Sequence, residues 1–371
     1  MAFYDIVVVG GGLSGTTAAR LLAEKGYKVL IVEEKKHLAG QIYDYKDTAG
    51  ITVHRYGPHI FHTKIEKVWR FVNRFAEFSN FQHHVLSFAN GNLINFPINR
   101  NTLNTVFGLQ LSNDEVEDFL KQEVEKSTFN NPPQSFRDVV VSQVGEHLYR
   151  LFFEHYTQKQ WACNPEDLSP ALAGRIPVRT NNDSRYFTDK YQGLPINGYT
   201  AMINNMIAHE NIAVLLGIDY LSIKEELNPQ LIVYTGELDR FFGYQYGKLT
   251  YRSVKLHFQT LDQEQFQVAP VVNYPNDYDY TRITEFKQMT GEKSPKTTIC
   301  YEYPSAEGLP FYTMPNQEND RLRERYMQEV KILEDNKTHL FIGRLAEYKY
   351  YNMDSAIDSA MNRVEQWLQK R

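Results

Sequence analysis

At 371 residues and 43.3 kDa the chain exceeds the usual single-domain size, so two or three domains with substantial cores are expected. Its 42% apolar and 23% charged content is ordinary for a folded soluble protein, and no run approaches the roughly twenty apolar residues of a membrane span. A formal charge of −5 argues against a nucleic-acid partner, whose footprint is a basic face, so any anionic ligand must be held by local arginines.

The N-terminal "FYDIVVVGGG" carries no basic leader and no small-residue cleavage site, which predicts a cytoplasmic protein. Cys163 and Cys300 fit no ligand spacing and are expected as thiols, and the Asn182 and Asn336 sequons as chance matches. Residues 4–9, "YDIVVV", form a β-branched run suited to a strand buried on both faces of a parallel sheet. "GGGLSG" follows, then "TTAARLLAEKG", whose Ala18, Leu21 and Leu22 repeat at helical spacing before Gly26. "YKVLIVEE" completes a βαβ unit at the start of a doubly wound fold.

From Asn101 to Glu166 longer amphipathic segments predict a helical insertion, with Ser112 or Asn113 capping "SNDEVEDFLKQEVEKS". "NNPPQSF" interrupts it, and "FRDVVVSQVGEHLYRLFFEHYTQKQW" resumes helix with Val140, Val144, Leu148, Leu151 and Phe152 at helical steps. "LIVYTGEL", "LTYRSVKLHFQT", "FQVAPVVNYP" and "TTICYEYP" read as strands, several of them suited to an antiparallel sheet with one face lining a site. The chain closes with a buried strand at "HLFIG", a loop, and an amphipathic helix.

Gly10, Gly12 and Gly15 make Gly-x-Gly-x-x-Gly between the first strand and its helix, and Glu33 ends the second strand. The glycines permit a tight turn and close approach, the helix N-terminus receives a pyrophosphate, and the carboxylate accepts from a ribose hydroxyl. The competing reading is a glycine-rich turn with no ligand, and the strand–turn–helix context disfavours it. "EEKKHLAGQIYD" with Gly40, and "HLFIGRLAEYKYYNMD" near the C-terminus, resemble FAD enzymes of the glutathione reductase and amine oxidase type. That favours FAD over NAD.

"HRYGPHIFHT" (54–63) gathers three histidines, an arginine and a tyrosine. Metal binding, proton transfer and contact with a cofactor would each suit them. Metal binding is disfavoured, because the sequence supplies no neighbouring carboxylate or cysteine set and Pro58 favours an extended or turning backbone. His54, His83 and His84 read equally well as core or surface histidines.

"YGPHIFHT" (56–63), "YTQKQW" (156–161), "RIPVR" (175–179), "KYQGLPINGYT" (190–200), "YTRITEFK" (280–287) and "GRLAEYKYYNMD" (343–354) resemble, in order and over nearly the whole chain, the UDP-galactopyranose mutase family of bacterial type. The resemblance implies a flavoenzyme that interconverts UDP-galactopyranose and UDP-galactofuranose with no net redox change, through a covalent adduct between the sugar and N5 of reduced FAD. It implies an α/β fold: an FAD-binding doubly wound domain (1–78, 190–240 and 335–371), a helical domain with a mobile substrate lid (100–188), and an antiparallel sheet domain (79–99 and 241–334). Arg175 and Arg282 are then the guanidinium pair at the diphosphate, Arg175 on the lid. Tyr186, Tyr312 and Tyr350 donate hydroxyls to the diphosphate, Tyr156 and Trp161 hold the uracil, and Asn273, Phe152 and Asn352 complete the substrate set. His59 and His62 flank the ring and substrate, where positioning is favoured over side-chain acid/base work. Gly10, Gly12, Leu13, Ser14, Gly15, Glu33, Gly40, Gln41, Pro58, His59, Arg344, Met353 and Asp354 contact FAD, and no metal is implied.

Asn352 stands where the family usually has aspartate, and Ala39-Gly40-Gln41 where it has Gly-Gly-Asn. Relatives that accept UDP-N-acetylgalactosamine, together with Arg55, raise that sugar as an alternative substrate. An oxidase of the amine-oxidase type and a non-enzymatic nucleotide-binding module are the rival functions. The resemblance further implies a reductant such as NAD(P)H or a flavin reductase system, a homodimer, and a product used in a bacterial surface polysaccharide.

Overall fold

The structure, a computed structural model, describes residues 4–175 and 177–370, without the side chains of residues 174 and 175. Five parallel strands form the first sheet in the order His339–Phe341, Leu231–Tyr234, Ile6–Val9, Val29–Glu33 and Ile212–Leu216. The central strands are β-branched and apolar because both their faces are covered: Ile6, Val8, Val29 and Ile31 are all fully buried. One face carries the helices Leu13–Ala23 and Met353–Gln369, which pack on each other, with Tyr199–Ile207 beside the first. Gly15 makes that stacking possible, since a Cβ there would overlap the carbonyl oxygen of Gly10.

The second sheet has seven strands in the order Tyr312–Thr313, Tyr251–Leu261, Thr297–Ser305, Arg282–Glu285, Val271–Asn273, Val85–Ala89 and Asn92–Phe96. Its pairs are antiparallel except that Val271–Asn273 runs parallel to Val85–Ala89. Helices Arg100–Phe107, Val116–Glu125 and Phe136–Tyr149 pack over its far end around Leu103, Leu120, Val140, Val144 and Leu148, sharing a core with Val85, Phe96 and Val271.

Two details of the helical part differ from the sequence expectation. Ser112 does not cap a helix: its N–H and hydroxyl both donate to the Glu115 carboxylate, and the helix begins at Val116. The segment from Phe136 to Trp161 is not one regular helix. Gly145 is non-helical (φ 80°, ψ 166°), and Arg150–Glu154 forms a π turn before the helix His155–Trp161. A π turn rotates the helix on its C-terminal side relative to the helix on its N-terminal side, and such turns recur at functional sites.

Candidate functional site

A cleft of about 420 Å³ runs along the carboxyl ends of the parallel strands. That is where open α/β sheets bind ligands, and the volume lies within the usual range for a small-molecule site. Of the residues expected at a dinucleotide, Gly10, Gly12, Leu13, Ser14, Glu33, Gly40, Gln41, His59, Arg344 and Met353 line this cleft, as does Asn352, expected at the substrate. Gly15 lies beneath it, packed on Gly10. Pro58 and Asp354 are outside the lining, and the Asp354 carboxylate accepts the N–H of Ser355 in the first turn of the last helix.

The turn is built for close approach. Gly10 has φ +103°, and a Cβ on it would overlap the Thr235 hydroxyl. Gly12 and Gly40 face each other so closely that a Cβ on Gly40 would stand 3.0 Å from the Gly12 Cα. Glu33 is 4% exposed and fixed by two backbone donors, Gly11 N–H (2.7 Å) and Lys35 N–H (2.8 Å), one on each carboxylate oxygen. Each oxygen keeps a lone pair, as ribose recognition requires. The glycine cradle, the helix N-terminus and this carboxylate therefore fit a dinucleotide. Beyond Glu33 the cleft is bounded by Arg240, which donates to Glu34 at 2.9 Å and Asp219 at 2.8 Å.

At the other end Arg344 donates to the carbonyls of Phe311 and Tyr351, each at 2.8 Å, and its guanidinium lies 5.5 Å from the Tyr350 ring centre. Tyr350 stacks on Tyr312 (6.0 Å, 11°), and Tyr312 meets the edge of Trp161 (6.3 Å, 63°). A continuous aromatic path thus leads from the cleft to the helix His155–Trp161.

Beside this path, register across the second sheet aligns three site residues. Arg282 pairs with Asn273 on one side and with Glu302 on the other. Arg282 Nη2 donates to the Tyr156 hydroxyl at 2.8 Å, and its Nε lies 3.3 Å from the Glu302 carboxylate. Burial opposes the Arg282 charge, but Glu302 and the hydroxyls of Tyr156, Tyr312 and Tyr186 hold its pKa well above the usual value. Burial pushes the Glu302 carboxyl up while Arg282 pulls it back. Burial also raises Tyr156 and Tyr312 and pushes Tyr186 up to about 12, so these phenols stay protonated as donors. The Arg175 side chain lies outside the described residues. Phe152 is 3% exposed and packs against Phe96 and Phe153.

The histidine stretch splits into two environments. His59 lines the cleft, its Nδ1 2.8 Å from the Gly57 carbonyl, which places the proton on Nδ1 and leaves Nε2 with a lone pair. Its backbone N–H donates to His54 Nδ1 at 3.0 Å. Burial lowers the His59 pKa to about 3, so the ring is neutral. His62 stacks on Phe187 (3.6 Å, 12°) and bonds the Asp189 carboxylate through Nδ1 at 2.5 Å. The carboxylate missing from the local sequence therefore arrives from a distant segment, yet no group of three potential metal ligands forms among the described residues. Arg55 is exposed, outside the cleft lining.

Sequence reasoning missed Glu302, Asp189, Arg240 and the pocket-lining Tyr56 and Thr235. Glu302 carried a usable signal, as a carboxylate inside the otherwise apolar and aromatic "TTICYEYP". Arg240 and Asp189 lie in no motif.

A family model described as UDP-galactopyranose mutase matches residues 151–350, and one for an NAD(P)-binding Rossmann-like domain matches residues 8–75. The chain is 38% identical to a probable UDP-galactopyranose mutase of Klebsiella pneumoniae, over 98% of this chain and 94% of that protein. It is 35% identical to the dTDP-fucopyranose mutase of Escherichia coli, covering 96% of each. Among solved structures, a reduced UDP-galactopyranose mutase superposes with a TM-score of 0.78 at 17% identity, over 99% of this chain and 96% of that one. At that identity the superposition speaks for the fold alone.

Proposed function

The chain belongs to the UDP-galactopyranose mutase family, and from that premise we propose that it interconverts UDP-galactopyranose and UDP-galactofuranose with FAD held in the cleft. The carrying observation is the alignment of Asn273, Arg282 and Glu302 across three strands, with Arg282 bonded to Tyr156 and an aromatic path leading back to the cleft. A half-buried, permanently charged guanidinium beside phenol hydroxyls suits the diphosphate of a departing nucleotide and little else in a chain of net charge −5.

Gly10, Gly12, Ser14, Glu33, Gly40, Gln41 and Arg344 would hold the dinucleotide. Reduced FAD, when bound, supplies the nucleophilic ring nitrogen for the anomeric carbon, so that the sugar can leave UDP as one ring form and return as the other. Arg282 stabilises the negative charge that grows on UDP, Tyr186, Tyr312 and Tyr350 supply hydroxyl donors to the same oxygens, and Tyr156 stands with Trp161 at the uracil. Trp161 offers a flat face to the base. Glu302 holds Arg282 in place, and its Oε1, with no hydrogen-bond partner among the described residues, leaves an acceptor on the buried side of the site. His59, neutral with its Nδ1 proton on Gly57, forms part of the cofactor wall and is not a proton store at neutral pH. The reading includes Arg175 on a lid, an external reductant such as NAD(P)H or a flavin reductase system, a cytoplasmic homodimer, and a polysaccharide that consumes the product. Arg55 is exposed and outside the cleft lining, so the alternative preference for UDP-N-acetylgalactosamine rests on the relatives that accept that sugar.

Incubation of the dithionite-reduced, FAD-loaded protein with UDP-galactofuranose, followed by chromatography, should yield the pyranose. The oxidised protein should be silent. dTDP-fucose and UDP-N-acetylgalactosamine run in parallel define the nucleotide and sugar preference. Oxygen-consuming oxidation of substrate would replace this reading with an oxidase, and UDP binding without conversion would replace it with a binding module.

A further inference from the structure

The helix His155–Trp161 carries Tyr156 and Trp161, and the strand ends Asn273 and Arg282 lie at the two bases of one loop, 274–281. The loop closes on itself through Tyr274 N–H to the Thr281 carbonyl (2.8 Å), while its aromatic rings pack on each other, Tyr278 stacking on Tyr280 at 5.0 Å. Three of its carbonyls converge on a single atom. Lys159 Nζ donates to Tyr274 O at 2.6 Å, Tyr278 O at 2.8 Å and Tyr280 O at 3.1 Å, which uses every N–H of the ammonium. Lys159 projects from the same short helix as Tyr156 and Trp161.

A second, independent tie runs parallel to the first. Asn276 Oδ1 bonds His155 Nδ1 at 2.9 Å, and Asn276 Nδ2 donates to the Leu151 carbonyl at 3.1 Å in the π turn. A π turn leaves carbonyls poorly used by the helix itself, and here the loop takes one of them up. The helix is held at its C-terminal end as well, by Arg252 Nε on the Gln160 carbonyl at 2.9 Å.

We propose that Lys159 is a positioning residue for the mutase reaction: by clamping the loop between Asn273 and Arg282 onto the helix of Tyr156 and Trp161, it sets the spacing between the nucleotide and sugar halves of the substrate site. The proposal rests on the mutase reading of that site. The physical basis is that charge-assisted bonds to three carbonyls hold a loop of eight irregular residues, 274–281, in one conformation, and no other cation among the described residues is bonded to those three carbonyls. Removing the ammonium orphans all three at once and frees the loop to move relative to the helix. Misplaced binding groups weaken substrate capture before they alter a chemical step at a separately held cofactor.

The test uses FAD-loaded Lys159→Met with Asn276→Ala beside it. Calorimetry should show UDP affinity falling by about tenfold or more in the lysine variant, the loss expected when charge-assisted bonds that order a site are removed. The KM for the UDP-sugar should rise in parallel, while kcat stays within about threefold and FAD content is unchanged. Asn276→Ala should shift both constants the same way by less, and Lys159→Arg, which keeps charge and donors, should recover part of the affinity. Hydrogen exchange without ligand reads the clamp directly: amides of 274–281 should exchange faster in Lys159→Met. Unchanged exchange there, or UDP affinity within about twofold of wild type, overturns the proposal even if the mutase reading stands. Wild-type protein that does not bind UDP would overturn the nucleotide reading itself, and the proposal with it, before any variant is compared.

Discussion

Arg282 sits where three demands meet: a buried carboxylate needs its charge, a phenol takes one of its N–H groups, and the remaining face is left for an anion. Its partner Glu302 is 4% exposed while the Arg282 side chain is 28% exposed, so the carboxylate is enclosed and the guanidinium keeps an open face. An interaction made mainly as the leaving diphosphate gains charge contributes to kcat more than to binding. Arg282→Ala should therefore lower kcat by about 10²–10³-fold while FAD stays bound, because the cofactor cleft does not include Arg282. Steady-state kinetics alongside the flavin absorbance of the purified variant check both halves. A kcat within a few-fold of wild type would remove Arg282 from the chemistry. Stripped of its partner, Glu302 becomes a buried carboxyl left with the upward pull of burial, and its charged form loses its support. Arg282→Ala/Glu302→Gln should then be more stable than the single variant, without regaining activity.

At the scale of elements, the helical part depends on one backbone position. Gly145 holds φ 80° and ψ 166° inside the segment Phe136–Tyr149, a conformation open to glycine and hardly to other residues. A Cβ there would stand 2.8 Å from the Glu123 carbonyl oxygen on the neighbouring helix, too close for the backbone not to shift. Gly145→Ala should cost at least about 2 kcal/mol, combining backbone strain with a forced helix separation. Urea unfolding followed by circular dichroism measures it, and an unchanged midpoint would show that the kink carries no load. The sequence announces helix here because the apolar steps of Val140, Val144 and Leu148 are local, but the kink is fixed by a contact with another helix and leaves no periodic trace. The same contrast runs through the site. The glycine turn and Glu33 are legible because a single βαβ unit contains all of the physics. The pairing of Arg282 with Glu302 and of His62 with Asp189 depends on strand register and on a segment 127 residues away. The carbonyls that hold Lys159 are invisible in any sequence, since a backbone acceptor has no residue identity.

Across the whole molecule, buried histidines set an acid limit on stability. His54 is 2% exposed and burial pulls its pKa to about 4, with Glu292 acting weakly the other way. His83 is 6% exposed and lies at about 3, lowered by burial and then by the charge of Arg282. In the unfolded chain both return to about 6.5. The folded protein therefore binds fewer protons than the unfolded one between pH 6.5 and the native values, and stability is lost as pH falls through that window. At pH 5 the loss is about 2 kcal/mol relative to pH 7.5 for each of these two histidines and for His59, which burial also holds at about 3. Asp138 and Asp183, held at about 2 by hydrogen bonds and by Arg185 respectively, act in the same direction, but only below about pH 4 where the unfolded carboxylates take up protons. Glu302, Glu237 and Asp239, each raised by burial, work in the opposite sense. Urea midpoints of the FAD-loaded protein at pH 7.5, 6 and 5 should fall progressively, and His83→Asn should remove about a third of the histidine slope between pH 6 and 5. Equal stability at pH 7.5 and 5 would mean that these rings take up protons in the native state, and that water reaches them where they pack, His54 against Tyr199 and Phe286 and His83 against Tyr186 and Phe187.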